Sequence, residues 1–192
     1  MAAHSHVIID CNQRYNKRMK TTHRCLITDT HGVLTLTVPI EKPIRSHQTA
    51  WNDIKVSRHG EWWNVHRVTL ESAYGRTPFF EFYIDRFLPF LRQRNNANDE
   101  SLTDLDCGID NVIRDILGID SQISYHLPEK TADDNIKDYR SNDFSFVTPV
   151  EYYQVRQSRH GFLPCLSVLD LIFNMGPEAP LVLKEMIDRT SF

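Results

Sequence analysis

Between Arg14 and Arg24 the chain carries five positive side chains, Arg14, Lys17, Arg18, Lys20 and Arg24, with His23 among them and no acid. Lys17, Arg18, His23 and Arg24 suit a phosphate or carboxylate, because a guanidinium offers a planar fork and an ammonium a compact charge. The same stretch reads equally as a solvated basic segment, which is what most charge runs are. His66 is a second candidate, set among aromatics. Its near-neutral titration suits a general base toward an amine or hydroxyl; the alternative is a core histidine bonded to a carbonyl. Asp170 and Asn174 stand four residues apart, so a helix puts them on one face. Asp170 is the candidate catalytic carboxylate, or else the acid that caps its own helix. Asn174, between Phe173 and Met175, must find partners for its amide. Tyr153 and Gln154 offer a hydroxyl and an amide to a ligand, or form a β-edge pair. Tyr74 completes the set, as a ligand-facing phenol or as packing.

The elements that position these residues follow from periodicity. Val7–Ile9 is a short apolar strand. Cys25–Ile27 and Val33–Val38 flank the polar stretch Thr28–Gly32, a pattern that predicts a hairpin with a bulge-type loop. Ile54–Val56 reads as another strand. Glu61–Tyr74 has a helical period and Gly75 supplies a left-handed stop. A second helix is expected from Pro78, with Phe80, Tyr83, Ile84 and Phe87 on its stripe and Pro89 interrupting its end. The third is the clearest: Ser101 as cap, Asp104 at N3, then Leu102, Leu105, Ile109, Val112, Ile113 and Ile116 up to Gly118. Gly108 inside it contradicts the pattern mildly, by ~1 kcal/mol relative to Ala. Gln122–Tyr125 is an expected strand, and a polar loop occupies roughly 127–147. Ser167 and Asp170 are expected to cap a short helix over Val168–Met175 that Gly176 ends. Leu181–Ile187 is a last amphipathic helix. Together these predict a single α/β domain over 1–192, a mixed sheet with an antiparallel hairpin, flanked by helices. An α+β layout is the alternative, since three central helices run without an intervening strand.

Composition narrows the chemistry. The chain has 192 residues, 22 basic and 25 acidic side chains and a net charge of −3, a balance that argues against a nucleic-acid partner. Four widely spaced cysteines form no CxxC pair, and neither a signal peptide nor a membrane span is recognisable. A reduced, cytoplasmic protein is expected. The seven glycines are isolated, which leaves no dinucleotide fingerprint and no P-loop. HExxH, GxSxG and paired zinc cysteines are absent, so no cofactor and no metal is expected. His4-Ser5-His6 reads as a disordered tail rather than a metal site.

Three segments carry a resemblance. YNKRMKTTHRCLITDTHGVLTLTVPIEK (15–42) is a basic segment leading into a strand, a turn and a strand that ends in a Leu-Thr-Val-Pro stretch. WWNVHRVTLESAYGRTPFFEFY (62–83) joins a tryptophan and histidine helix to Ser-Ala-Tyr and a Pro-Phe-Phe helix. TPVEYYQVRQSRHGFLPCLSVLDLIFNMGPEA (148–179) holds a Tyr-x-Gln neighbourhood and an Asp-Leu-x-Phe-Asn-x-Gly-Pro end. In this order they resemble the WbqC-like family, a bacterial group found with genes for O-antigen and other surface polysaccharides. The resemblance implies a transferase of glycine or aminoacyl type acting in surface-polysaccharide biosynthesis, with a small-molecule or sugar-nucleotide ligand. A non-catalytic accessory or ligand-binding protein of the same pathway is the alternative. Relatives usually carry a further strand and a Tyr-x-Pro turn ahead of the position of Val7, where this chain has six residues, so that segment is expected to be missing. Many also carry Arg-Asn-Arg where Thr22-His23-Arg24 stands here.

Overall fold

A computed structural model of the chain describes residues 1–43, 48–93, 101–125, 136–140 and 146–190. Strand β1 (His6–Ile8) pairs in parallel with β4 (Gln122–Ser124), and β2 (Arg24–Asp29) pairs antiparallel with β3 (Gly32–Thr37). Parallel and antiparallel pairing are thus both present, in two separate two-stranded ribbons. The helices around them are α1 (Trp62–Tyr74), α2 (Phe80–Phe87), α3 (Leu102–Leu117), α4 (Gln157–His160), α5 (Val168–Met175) and α6 (Ala179–Arg189). This fits the expected α/β architecture and equally the α+β alternative.

The hairpin is tighter than expected. Asp29 pairs with Gly32, which leaves Thr30 and His31 as a two-residue turn. The Asp29 carboxylate accepts the His31 N–H at 2.7 Å, and Gly32 takes φ 118°. Only a glycine enters that region without strain, so the loop closes without the bulge. At the open end, the Val38 N–H donates to the His23 carbonyl at 2.9 Å. That bond sets the phase of the ladder. Cys25, Ile27 and Asp29 turn their peptide groups toward β3, whereas Arg24, Leu26 and Thr28 turn theirs outward. Leu34 and Leu36 face β2, whereas Val33, Thr35 and Thr37 face away from it.

Two cores fill the molecule. The larger joins Ile27 and Leu36 of the hairpin to Leu70 and Tyr74 of α1, Phe80 and Phe87 of α2, and Leu171, Ile172 and Phe173 of α5. Phe173 is fully buried and meets Tyr74, Phe80 and Phe87 with ring centroids 5.1–6.1 Å apart, the edge and tilted geometries that aromatic quadrupoles favour. The smaller core holds Trp51, Ile54, Val56, Trp62, Leu102 and Leu105.

Local signals held in α3. The Ser101 hydroxyl accepts the Asp104 N–H at 3.1 Å, and Gly118 ends the helix at φ 62°. Gly108 also finds its reason, since a Cβ there would lie 2.5 Å from the Phe90 ring. Three further expectations are corrected. Ile54–Val56 makes isolated bridges, Val56 to Ile40 and Lys55 to Ser101, rather than a strand. Gly75 follows α1 as expected but is right-handed at φ −57°, and the Thr77 hydroxyl donates to the Tyr74 carbonyl at 2.7 Å. His4-Ser5-His6 is no loose tail: His6 lies in β1, its Nε2 2.8 Å from the Ser124 hydroxyl. The short helix α4 has no counterpart in the sequence reading. Most of the polar loop at 127–147 lies outside the described residues.

Gly176 has positive φ as expected, but with ψ −120° it is not a left-handed helical stop. The backbone leaves α5 sharply here because the Phe79 ring occupies the space a side chain would need, 2.4 Å from an ideal Cβ. Gly176→Ala should therefore lower stability by ~2–4 kcal/mol, the sum of overpacking and a positive φ. Thermal unfolding checks this; an unchanged melting temperature would mean that Phe79 retreats freely.

Candidate functional site

The centre of the molecule is a carboxylate. Asp170 stands on the first turn of α5 and is fully buried. The Tyr74 hydroxyl donates to its Oδ1 at 2.8 Å; the Tyr152 hydroxyl and the Gln154 amide donate to its Oδ2 at 2.8 and 3.1 Å. Tyr74 in turn accepts the outward Thr28 N–H of β2 at 3.2 Å. Gln154 also clasps the loop before α5, donating to the Leu163 carbonyl and accepting the Leu163 N–H, both at 2.9 Å. Asn174, one turn on from Asp170, donates to the Asp170 carbonyl at 2.8 Å and accepts the Val155 N–H at 2.9 Å. Four of the expected site residues, Tyr74, Gln154, Asp170 and Asn174, thus meet in one network.

Asp170 does not cap its helix. Only Ser167 does so, its hydroxyl accepting the Leu169 N–H at 3.4 Å. The Asp170 carboxylate turns instead into the core, where three donors outcompete the helix end. Burial pushes its pKa above the ordinary aspartate value, against the opposing pull of the Tyr152, Tyr74 and Gln154 hydrogen bonds. Burial and the adjacent carboxylate both push the Tyr74 and Tyr152 phenols far up, so these stay protonated donors. Asp170 is fully enclosed, and its carboxylate joins α5 to α1 and to the segment before α4.

The other candidates gather elsewhere. Lys17, Arg18 and Arg24 are exposed on the segment leading to the open end of the hairpin. This segment is anchored rather than loose. Tyr15 stacks edge-on against Trp51 at 4.8 Å, its N–H donates to Thr49 at 2.8 Å, and the Trp51 N–H donates to Gln13 at 3.0 Å. His23 follows a short 3-10 turn over Lys20–Thr22, and its pKa is lowered by burial first and then by the Arg24 and Lys20 charges. His66 reaches the same end of the hairpin. Its Nε2 lies 3.0 Å from the Thr37 carbonyl, which can only accept, so Nε2 carries the hydrogen. The ring is buried against the edge of Trp62 at 5.2 Å, and burial lowers its pKa. His66 is thus a carbonyl-bonded core histidine. Tyr153 points outward, 53% exposed, and belongs to neither group. Tyr152, which the sequence reading passed over, takes the place at Asp170; a Tyr-Tyr pair signals that one ring is buried but not which.

Among the described residues no group of three His, Cys, Asp or Glu side chains could hold a metal ion, and no helix is long and apolar enough to cross a membrane. All four cysteines are free thiols. A surface depression of about 500 Å³ lies away from both groups, between the N-terminal residues, the end of α3 and α6.

The WbqC-like protein family matches residues 1–137, which hold the basic segment, the hairpin, α1 and Tyr74. The segment 148–179, with Asp170 and its remaining partners, lies beyond that match. The uncharacterized protein Rv1507c of Mycobacterium tuberculosis (strain ATCC 25618 / H37Rv) is 26% identical over 202 residues, covering 90% of this chain and 85% of that protein. No solved structure matches.

Two outcomes follow from the network. A carboxyl whose folded pKa is raised binds its proton more tightly in the native state, so its contribution is present at low pH and lost as pH rises. The Asp170-dependent part of stability should therefore fall from the ordinary aspartate range upward. Denaturant unfolding across pH should show this part vanish in Asp170→Asn; a component that grows with pH would contradict it. Asn174→Ala leaves the half-buried Val155 N–H without its acceptor, and should cost ~1–3 kcal/mol by the same measurement.

Proposed function

This chain belongs to the WbqC-like protein family, and from that premise we propose that it acts in bacterial surface-polysaccharide biosynthesis. Its role there is that of a glycine- or aminoacyl-type transferase that binds a phosphate-bearing ligand, such as a sugar nucleotide, on the segment from Lys17 to Arg24. It works as a single cytoplasmic domain.

The supporting observation is one of unspent charge. Arg67, Arg86, Arg114, Arg140 and Arg189 each pair with a carboxylate. Among the described residues Arg14, Lys17, Arg18, Lys20 and Arg24 enter no ion pair. An otherwise acidic protein thus keeps five cations available on a segment fixed by Tyr15 and Trp51. An anchored backbone loses less freedom when its side chains meet an anion than a mobile one does, which favours binding. In this reading Lys17, Arg18 and Arg24 contact the phosphate and His23 offers a neutral imidazole beside it. His66 positions the hairpin end through Thr37. Asp170, Tyr74, Gln154 and Asn174 are positioning residues behind it.

A second reading, an accessory protein that binds the ligand without turnover, is favoured by the burial of both acid–base candidates. Asp170 is fully enclosed and His66 is 8% exposed. Formation of product from an activated glycine donor and a sugar acceptor would decide for the transferase.

Binding is tested by titrating a uridine diphosphate sugar in a calorimeter. Lys17→Ala combined with Arg24→Ala should weaken affinity at least about tenfold, ~1.4 kcal/mol. Raising salt from ~0.1 to ~1 M should weaken the wild type more than the variant, because exposed charges are screened over a shorter distance. Equal affinity of variant and wild type would place the ligand elsewhere.

A further inference from the structure

The outer edge of β3 is open. The ladder phase directs the N–H and C=O groups of Val33 and Thr35 away from β2. Among the described residues these groups meet no backbone or side-chain partner. The strand, Gly-Val-Leu-Thr-Leu-Thr, carries no charge and no proline, and its one-to-one register leaves no bulge. Those are the devices by which edge strands are normally kept from pairing with another chain. Val33 is 55% exposed and Thr35 is exposed beside it.

The opposite edge of the ribbon is closed. On β2 the Leu26 carbonyl accepts the Ser167 N–H at 2.7 Å, and the Thr28 N–H donates to Tyr74. At the far end of β3 the Thr37 carbonyl already holds His66. One short stretch, Val33 to Thr35, is thus free to pair.

We propose that this edge is the contact between two copies of the chain, which join β3 to β3 antiparallel about a two-fold axis at Leu34. Val33 of each copy then exchanges both backbone hydrogen bonds with Thr35 of the other, and the two ribbons become one four-stranded sheet. The occupant is a second copy for three reasons. The strand is uncharged, so two identical edges approach without repulsion. Antiparallel pairing of a strand with itself is self-complementary and satisfies both free edges at once. The closed β2 edge then ends the sheet on each side, which makes the assembly finite rather than a fibre. The centre falls at Leu34 because pairing centred further along would compete with His66 for the Thr37 carbonyl. This inference is independent of the ligand proposed above.

The test is the mass of the full-length protein by sedimentation across a dilution series. The wild type should approach twice the 22.5 kDa chain mass on concentration. Val33→Lys places a charge on the edge, and Thr35→Pro removes an outward N–H that the monomer does not use. Each should weaken dimerisation at least about tenfold while the melting curve of the monomer stays in place. Amide exchange at Val33 and Thr35 should slow as wild-type concentration rises. A wild type that stays monomeric, or a dimer that persists in both variants with those amides unprotected, overturns the proposal. If one variant does not fold, the other and the exchange of the wild-type amides still decide. Slowed exchange only on adding an extended peptide, with the mass of one chain, would also overturn it and assign the edge to a peptide partner.

Discussion

One buried carboxylate ties together the elements of the larger core. Asp170 accepts hydrogen bonds from Tyr74, Tyr152 and Gln154, donors that lie 96, 18 and 16 residues away in the chain. They come from two pieces, Tyr74 from the end of α1 and Tyr152 and Gln154 from the segment before α4, and Gln154 also clasps the loop before α5. A buried charge is costly unless its lone pairs are filled, so these donors must arrive together. The network therefore acts as a checklist for correct assembly of the larger core, in which Phe173 and Tyr74 pack beside it.

Helix α1 carries that order outward. Tyr74 near its end holds the Thr28 amide of β2, and His66 holds the Thr37 carbonyl of β3. The two side chains lie eight residues apart, ~12 Å along the helix axis. The helix thus crosses the hairpin and grips opposite edges at two points. The basic segment enters the hairpin at Arg24, directly beside the Thr37 grip. A disturbance at Asp170 would reach those cations through a rigid helix, without any direct contact between the two groups.

How much of this was legible in the sequence depends on the range of each interaction. Ser101 and Gly118 delimit α3 by local rules, and the structure follows them. The hairpin was visible in its β-branched runs, though Gly32 and the Asp29 carboxylate tighten its turn. Tyr74, Gln154, Asp170 and Asn174 stood out as polar groups in apolar surroundings, and they do meet. Their roles were not readable, because capping spacing is a local signal and it pointed Asp170 at its own helix. Tertiary donors overrode it. The Tyr152–Tyr153 pair failed for a related reason: the segment is irregular, so no period tells which ring faces inward. Nor could charge patterning reveal that the segment from Lys17 to Arg24 is fixed, because the anchor is Tyr15 on Trp51, a contact between distant parts of the chain.

Asp170 and Tyr74 are energetically coupled across α5 and α1 through their hydrogen bond. A double-mutant cycle with Tyr74→Phe and Asp170→Ala, followed by equilibrium denaturant unfolding, measures that coupling directly. A hydrogen bond to a carboxylate in a buried site predicts a coupling of ~1.5–3 kcal/mol. Effects that add to within ~0.5 kcal/mol would instead mean that the two residues act independently.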